Sequence, residues 1–281
     1  MKEKRKRPMR VAFFVWIFLI LLLLAGIFLI GLPKEAPEES ITEVMRDGVL
    51  HEGNRMNLFG LTVNPGLISA FVVTGILLLA ALLLRIFFIP RMKEIPGRFQ
   101  CLLEGAVGLF SGQARGAAPR RSGFLGAYLF SVGSYIFLST LFELFGIQAV
   151  TTAGRSVSLP APISDINGAL AIGCLSFLVI LGAGIFYNGV RGGLGVVKDI
   201  SLPVSMSFRL FGALLSGLLV TELVYYYTAL SFVVPVLVGV LFTLLHAVIQ
   251  TYVLTTLVSI FYGEASEPRA GKHPAGDGSH S

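Results

Sequence analysis

Long apolar runs alternate with short polar segments along the whole chain. Each apolar run has about twenty or more residues, the length needed to cross the hydrocarbon core of a bilayer as a helix. The pattern therefore predicts an all-α membrane protein with about six membrane helices. The predicted spans are Val11–Leu32, Pro65–Ile89, Phe124–Phe145, Asp165–Tyr187, Pro203–Thr228 and Val236–Tyr262.

The first apolar run has two interpretations. A basic cap, Met1–Arg10, precedes Val11–Leu32, as it would in a secretory signal or in a retained anchor. The run is longer than a usual signal core, and Ile30-Gly31-Leu32-Pro33 offers no small-x-small cleavage site. A retained span with its N-terminus inside is therefore favoured.

The charged residues alternate between the segments that join the spans. The segment Lys34–Asn64 is acid-leaning, whereas Pro90–Ser122 is rich in arginine. Because cytoplasmic loops carry an excess of Lys and Arg, this alternation places both termini in the cytoplasm. Within the basic segment, Phe99–Phe110 is mildly amphipathic and is predicted to lie on the membrane surface.

Composition excludes several functional classes. The chain has 281 residues, of which 54% are hydrophobic and 14% charged, so it is not an ordinary soluble domain. The net charge of +6 is explained by the basic loops, so no nucleic-acid partner is expected. Two cysteines and the absence of phosphate-loop or hydrolase motifs argue against a metal site, a cofactor or an enzyme acting alone.

An arginine inside the fifth predicted span is the most unusual feature. Arg209 would cost at least ~2.5–3.5 kcal/mol near the middle of a membrane helix, so it is expected to face a polar cavity or a partner charge. The alternative is an arginine that snorkels to the interface, because Pro203 marks a helix start six residues earlier. Small residues share its helical face at spacings of three, four and seven. This small strip comprises Ser205, Gly212, Ala213 and Ser216.

Further polar groups fall at membrane depth along the predicted spans. Any one of them could be structural; Asp165, for example, would serve as a helix N-cap. Together they resemble a relay of titratable groups, in which a histidine beside carboxylates can carry a proton near neutral pH. Arg209 cannot be a carrier, because guanidinium keeps its proton in proteins. The groups are Glu143, Asp165, Asn167, Glu222, Thr243, His246 and Gln250.

Two motifs then point to a known family. The segment Pro203–Gly212 around Arg209, followed some forty residues later by Gln250–Leu257 and Tyr262, resembles subunit a of F-type ATP synthases. Pro96–Gln100 and Ser164–Asn167 are similar to further segments of that family. The resemblance covers about 65–265.

The resemblance implies an ion-translocating stator subunit. Such a subunit packs against a rotating ring of c-subunits and joins the b-subunit peripheral stalk, and it provides two half-channels separated by the essential Arg, here Arg209. The family's outer-channel groups correspond to Glu143, Asp165 and Asn167, and Gln250 would lie close to Arg209. The last two helices would form a long tilted hairpin along the ring in a bacterial plasma membrane.

This chain departs from the family pattern at several positions. Ala213 replaces the usual Asn, and Leu218 and Thr243 occupy positions that are often ionisable. Glu222 and His246 lie one turn away from those two residues, so we hypothesise that they replace the displaced pair. The sequence leaves open whether the coupling ion is a proton or sodium, because the ring's binding site largely selects it.

The domain organisation follows from these elements. Residues 1–33 would form the basic N-terminus and extra membrane helix, 34–64 an outer polar segment, 65–265 the channel domain and 266–281 a disordered tail. Two alternative functions remain: a secondary transporter in which Arg209 binds an anionic substrate, and an assembly scaffold that transports nothing. Neither alternative requires a c-ring.

Overall fold

The computed structural model describes residues 56–58, 61–145, 147–150, 156–226 and 234–267. The elements in chain order are β1 Met56–Leu58, β2 Leu61–Val63, α1 Pro65–Leu83, α2 Arg98–Ala117, α3 Ser122–Leu144, β3 Gln148–Val150, β4 Ser156–Ser158, α4 Ile166–Val197, α5 Ser201–Tyr226 and α6 Val234–Ser266. The predicted first span and the predicted tail lie outside the described residues, apart from 266–267 of the tail.

The described part of the chain has the architecture of an α-helical membrane protein, as predicted. Four stretches within it are long and apolar enough to cross a membrane: Pro65–Arg91, Ser122–Leu144, Ile166–Val197 and Gly239–Ser266. The first continues α1 through one π-helical turn and one 3₁₀ turn. The 26-residue α5 corresponds to the predicted fifth span.

Two short antiparallel hairpins lie in polar segments that were predicted only as outer loops. Met56 pairs with Val63 in the first hairpin, and Gln148 pairs with Ser158 in the second. Both hairpins lie close to the helix ends that carry Asn64, Leu144 and Asp165. We call this end of the helices the Asp165 end.

The described residues belong to two compact units. One contains the described residues up to 215 together with 243–267, and the other contains 216–226 and 234–242. The larger unit has one main hydrophobic core, to which α2, α3, α4, α5 and α6 all contribute. Its fully buried side chains include Leu125, Leu129, Ile136, Ile180, Met206, Leu210, Leu254 and Val258.

The amphipathic segment forms a longer helix than the sequence predicted. α2 runs from Arg98 to Ala117, and its second half is not a membrane-surface element. Phe110 and Ala114 are buried there in the main core, and the Phe110 ring lies against Gly133 of α3. The first half, with Leu102 exposed, keeps the predicted amphipathic character.

The segment 188–202, which separates the fourth and fifth predicted spans, is mostly helical. α4 reverses its direction at Gly189, which has φ 63° and ψ −160°. Only glycine adopts this backbone region readily, because a Cβ would clash with the main chain. The reversal packs Gly192 and Val196 against Gly184, and it brings the chain to the start of α5 after a single turn.

Candidate functional site

Arg209 lies on an exposed face of α5. Ser205, Gly212 and Ser216 of the small strip are exposed as well, and Ala213 is partly exposed. A Cβ built on Gly212 would meet no heavy atom within 4 Å. No hydrogen bond or ion pair of the Arg209 side chain occurs within the described part of the chain. The strip therefore presents the guanidinium to the surroundings of the chain.

A neighbouring face of α5 is buried and fixes the helix in place. Met206, Leu210 and Leu214 lie in the main core at spacings of four residues. Leucine and methionine at this spacing form one apolar stripe along a helix. The predicted separation of a small polar face from an apolar face is thus realised in the first half of α5.

A close helix contact lies two residues before Arg209. Gly173 of α4 faces Ser207, and a Cβ built on Gly173 would lie 2.8 Å from the Pro203 carbonyl oxygen. The Ser207 hydroxyl donates to the same carbonyl at 2.6 Å, so it needs no further partner. The absence of a side chain at Gly173 thus lets α5 approach α4 at the level of Arg209.

The predicted polar face of α6 is partly buried. Gln250 is only 8% exposed, and its Oε1 atom has no hydrogen-bond partner among the described residues. His246, one turn before Gln250, and Thr243, two turns before it, are half-buried. No hydrogen bond joins Gln250 to Arg209 in the described part of the structure.

A stripe of small hydroxyl residues on another face of α6 lies in the core. Thr251, Thr255 and Ser259 are all buried, and Thr255 donates to the Thr251 carbonyl at 2.8 Å. Gln113 of α2 donates to the Thr256 hydroxyl at 3.2 Å, which ties α2 to α6. This contact could not be predicted from the sequence, because a single glutamine on an amphipathic helix carries no distinctive signal.

Asp165 and Asn167 lie together at the start of α4. Asp165 is the N-cap, as predicted, and its Oδ1 accepts from the Asn167 backbone N–H at 3.2 Å and from the Asn167 side chain at 3.3 Å. Its other oxygen accepts from Asn64 Nδ2 at 3.0 Å. Asn64 was not among the predicted site residues, although Asn64-Pro65-Gly66 has the form of an N-cap followed by proline at the first helical position.

A cavity of about 1030 Å³ lies between α1, α3 and α4. Asn64, Asp165 and Asn167 line it at the Asp165 end, and Tyr128 lines it deeper in the helices. The Tyr128 hydroxyl is hydrogen-bonded to Ser176, ten residues into α4, at 2.9 Å. At about 1.5 Å per residue, this hydroxyl pair lies roughly 15 Å along the helix from the N-cap.

The remaining predicted pathway residues are separate from this group. Glu143 lies near the end of α3 and is half-buried, and its side chain has no hydrogen bond or ion pair within the described residues. Its neighbour Phe142 packs in a small cluster with Val73 and Leu159. Glu222 lies on α5, but its side chain is outside the described residues.

The opposite end of the helices carries a second polar cluster. The guanidinium of Arg121 lies 3.6 Å from the centre of the Tyr187 ring and donates to the Ser266 carbonyl. Asn188 donates to the carbonyls of Ala265 at 2.8 Å and Glu267 at 2.9 Å. These donors satisfy the free carbonyls at the C-terminus of α6. We call this end the Arg121 end.

Comparisons with known proteins agree with this architecture. The family model described as ATP synthase A chain matches residues 68–263, well over half of the chain. The ATP synthase subunit a of Mycobacterium marinum is 24% identical over 234 residues, which cover 76% of this chain and 92% of that protein. The corresponding proteins of Mycobacterium ulcerans and Mycobacterium tuberculosis are 23% and 22% identical, over 76% of this chain and 91% and 92% of their own length. The chain therefore belongs to the ATP synthase A chain family.

Proposed function

We propose that the chain is the ion-translocating stator subunit of a rotary F-type ATP synthase, with Arg209 facing the carboxylates of a c-subunit ring. The observation that carries this proposal is the exposed strip of small residues around Arg209. Small residues let a second helix approach closely, and the Arg209 guanidinium is the one large group among them. A ring helix that carries a carboxylate suits this surface in shape and in charge.

Arg209 acts as a fixed charge in this mechanism. An ion enters from one side, neutralises a ring carboxylate, travels round with the ring and leaves on the other side. Guanidinium keeps its proton, so Arg209 neither accepts nor releases an ion. It attracts each returning carboxylate and blocks direct passage of a cation between the two half-channels.

The cavity between α1, α3 and α4 is our candidate for the outer half-channel entrance. Asp165, Asn167 and Asn64 lie at its mouth, and Glu143 lies at the same end of the helices. The segment 90–122, which joins α1 to α3 at the other end, carries six Lys and Arg residues, whereas the segment 146–162 at the Asp165 end carries Arg155 alone. This asymmetry supports an outer location for the Asp165 end in a bacterial plasma membrane.

The path from this entrance to the ring runs, in our proposal, by way of the sixth helix. His246 and Gln250 lie on one face of α6. In this proposal, His246 and Glu222 of α5 together replace the ionisable pair that is usual in the family. The b-subunit stalk and the rest of the synthase hold the chain against rotation.

Replacement of Arg209 tests the assignment. We expect Arg209→Ala to abolish ATP-driven ion pumping by the purified complex in liposomes, with the subunit retained in the complex. Arg115→Ala removes an exposed arginine on α2 and is the matched control, which should pump at the native rate. The assay is run with and without sodium, and whether pumping by the native complex depends on sodium identifies the ion.

Pumping by Arg209→Ala at the native rate would refute the stator role. The same assay tests whether Glu222 and His246 take the place of the family's ionisable pair. It is run on a complex that carries both Glu222→Gln and His246→Ala. Native coupling in that complex would show that the two residues are not part of the pathway.

A further inference from the structure

Two helix N-caps meet at the mouth of the cavity. Asn64 caps α1, where its Oδ1 accepts from the Gly66 backbone N–H at 3.0 Å. Its Nδ2 atom donates to Asp165 Oδ2 at 3.0 Å, and Asp165 is itself the N-cap of α4. One amide thus links the start of one membrane helix to the cap of another that lies 101 residues away in the sequence.

The geometry leaves Asn64 little freedom. Within the Asn64 side chain, only the amide oxygen can accept the hydrogen bond from the Gly66 N–H, so the NH₂ group must point to Asp165. The Asp165 carboxylate then receives three N–H donors in all, from Asn64, from the Asn167 backbone and from the Asn167 side chain. Two carboxylate oxygens offer about four acceptor positions, so roughly one is left for a group in the cavity.

Asn64, Asp165 and Asn167 all line the cavity, and all three are at most half-buried. A carboxylate held by donors on two helices has one orientation with respect to the cavity. Without Asn64, the donors on α4 alone would hold only one of its two oxygens. The second oxygen would be free to turn away from the cavity.

We propose that Asn64 is a positioning residue for ion entry, which holds the Asp165 carboxylate towards the mouth of this cavity. The inference rests on the proposed function, because it assigns a role to Asn64 only if ions enter here. It adds a residue of α1 to a site whose other members lie on α4. The ion it serves is a monovalent cation, a proton or sodium.

Asn64→Ser separates the two roles of this residue. Serine is as good an N-cap as asparagine, so α1 keeps its start, but the hydroxyl is too short to reach Asp165. The readout is ATP synthesis by the reconstituted complex at increasing ion concentration on the entry side. We expect the concentration for half-maximal synthesis to rise roughly tenfold, the scale of one hydrogen bond to a charged group. The maximal rate and the amount of assembled complex should change little.

An exchange of the two residues provides the rescue. Asn64→Asp alone places two carboxylates at hydrogen-bond distance and should impair synthesis more than Asn64→Ser. The double exchange Asn64→Asp with Asp165→Asn restores one carboxylate, one amide and both N-caps at the same mouth. We expect it to recover most of the activity that Asn64→Asp loses, whereas Asp165→Asn alone stays impaired.

Three outcomes would overturn the inference. Native ion dependence in Asn64→Ser would remove any role for the amide. A loss of synthesis that only follows the loss of assembled complex would make the contact structural. A double exchange that assembles but remains as slow as Asp165→Asn would assign the whole effect to Asp165.

Arg209→Ala, measured in the same preparation, separates this inference from the proposed function. An inactive Arg209→Ala with a native Asn64→Ser refutes only the role of Asn64. An active Arg209→Ala refutes the proposed function itself.

Discussion

Side-chain size distinguishes the residues around Arg209 from the rest of α5. Its neighbours on the exposed face are Ser, Gly and Ala, whereas Phe208, immediately adjacent, is exposed but large. An exposed apolar side chain in a membrane helix contacts lipid at no cost. A strip that lacks such side chains is therefore better suited to a protein partner than to lipid.

Gly212→Leu tests whether the strip is a contact surface. A Cβ at this position meets no atom of the described chain within 4 Å, and leucine favours a helix over glycine by roughly 1 kcal/mol. We expect the subunit to fold and insert normally but to lose ATP-driven pumping, because the added side chain holds the ring away. The measurement is pumping together with cross-linking to the ring.

Val204→Leu is the control, since Val204 is exposed on the same helix but outside the strip. It should leave pumping unchanged. If Gly212→Leu pumps as well as Val204→Leu, the strip is not the surface that faces the ring.

At the scale of helices, two elements place α5. The reversal at Gly189 sets where α5 begins, and the contact of Gly173 with Pro203 and Ser207 sets how close it lies to α4. Helices in a membrane gain little from the hydrophobic effect when they associate, so close backbone packing carries much of the specificity. The position of Arg209 thus depends on residues that never contact an ion.

Gly173→Ala should disturb α5 without removing a polar group. The added methyl would overlap the Ser207 hydroxyl and the Pro203 carbonyl, and such overpacking typically costs about 1–3 kcal/mol. We expect a lower thermal unfolding temperature of the complex and slower pumping. The two measurements are differential scanning fluorimetry and the liposome assay.

Gly182→Ala on the same helix is the matched control, because its Cβ would meet nothing within 4 Å. Equal unfolding temperatures and pumping rates for the two alanine variants would show that α4 and α5 are not held by this contact.

At the scale of the whole molecule, the described residues expose much apolar surface. Phe71 and Leu78 of α1 are 70% and 66% exposed, as expected for side chains that face lipid or another membrane subunit. Arg209 has no counter-charge within the described residues, and neither does Glu143. Transport by this mechanism therefore requires the partner that carries the moving carboxylate.

The chain reconstituted alone should not transport ions. We expect liposomes that contain only this subunit to hold a proton or sodium gradient as well as empty liposomes do, whereas liposomes with the full complex dissipate it on addition of ADP and phosphate. Gradient loss through the isolated subunit, or uptake of an anionic solute by it, would favour the transporter alternative.

The sequence by itself predicted the class of the protein and most of its elements. An apolar run of about twenty residues must form a helix within a membrane, because its backbone groups have no other hydrogen-bond partners there. Most ends of the four spans in the described chain were therefore predicted to within a few residues. The residue types at helical spacing also placed Arg209 on a small face, because that periodicity is a local property. The N-cap role of Asp165 was equally local.

Tertiary structure alone decided which separate segments meet. The contact of Asn64 with Asp165 joins residues 101 positions apart, and the sequence around either residue does not predict the other as its partner. The same holds for Arg121 and Asn188 at the end of α6, and for the helical reversal within the segment 188–202. Hydrophobic periodicity encodes which face of a helix is buried, whereas the partner of that face depends on how all the helices pack together.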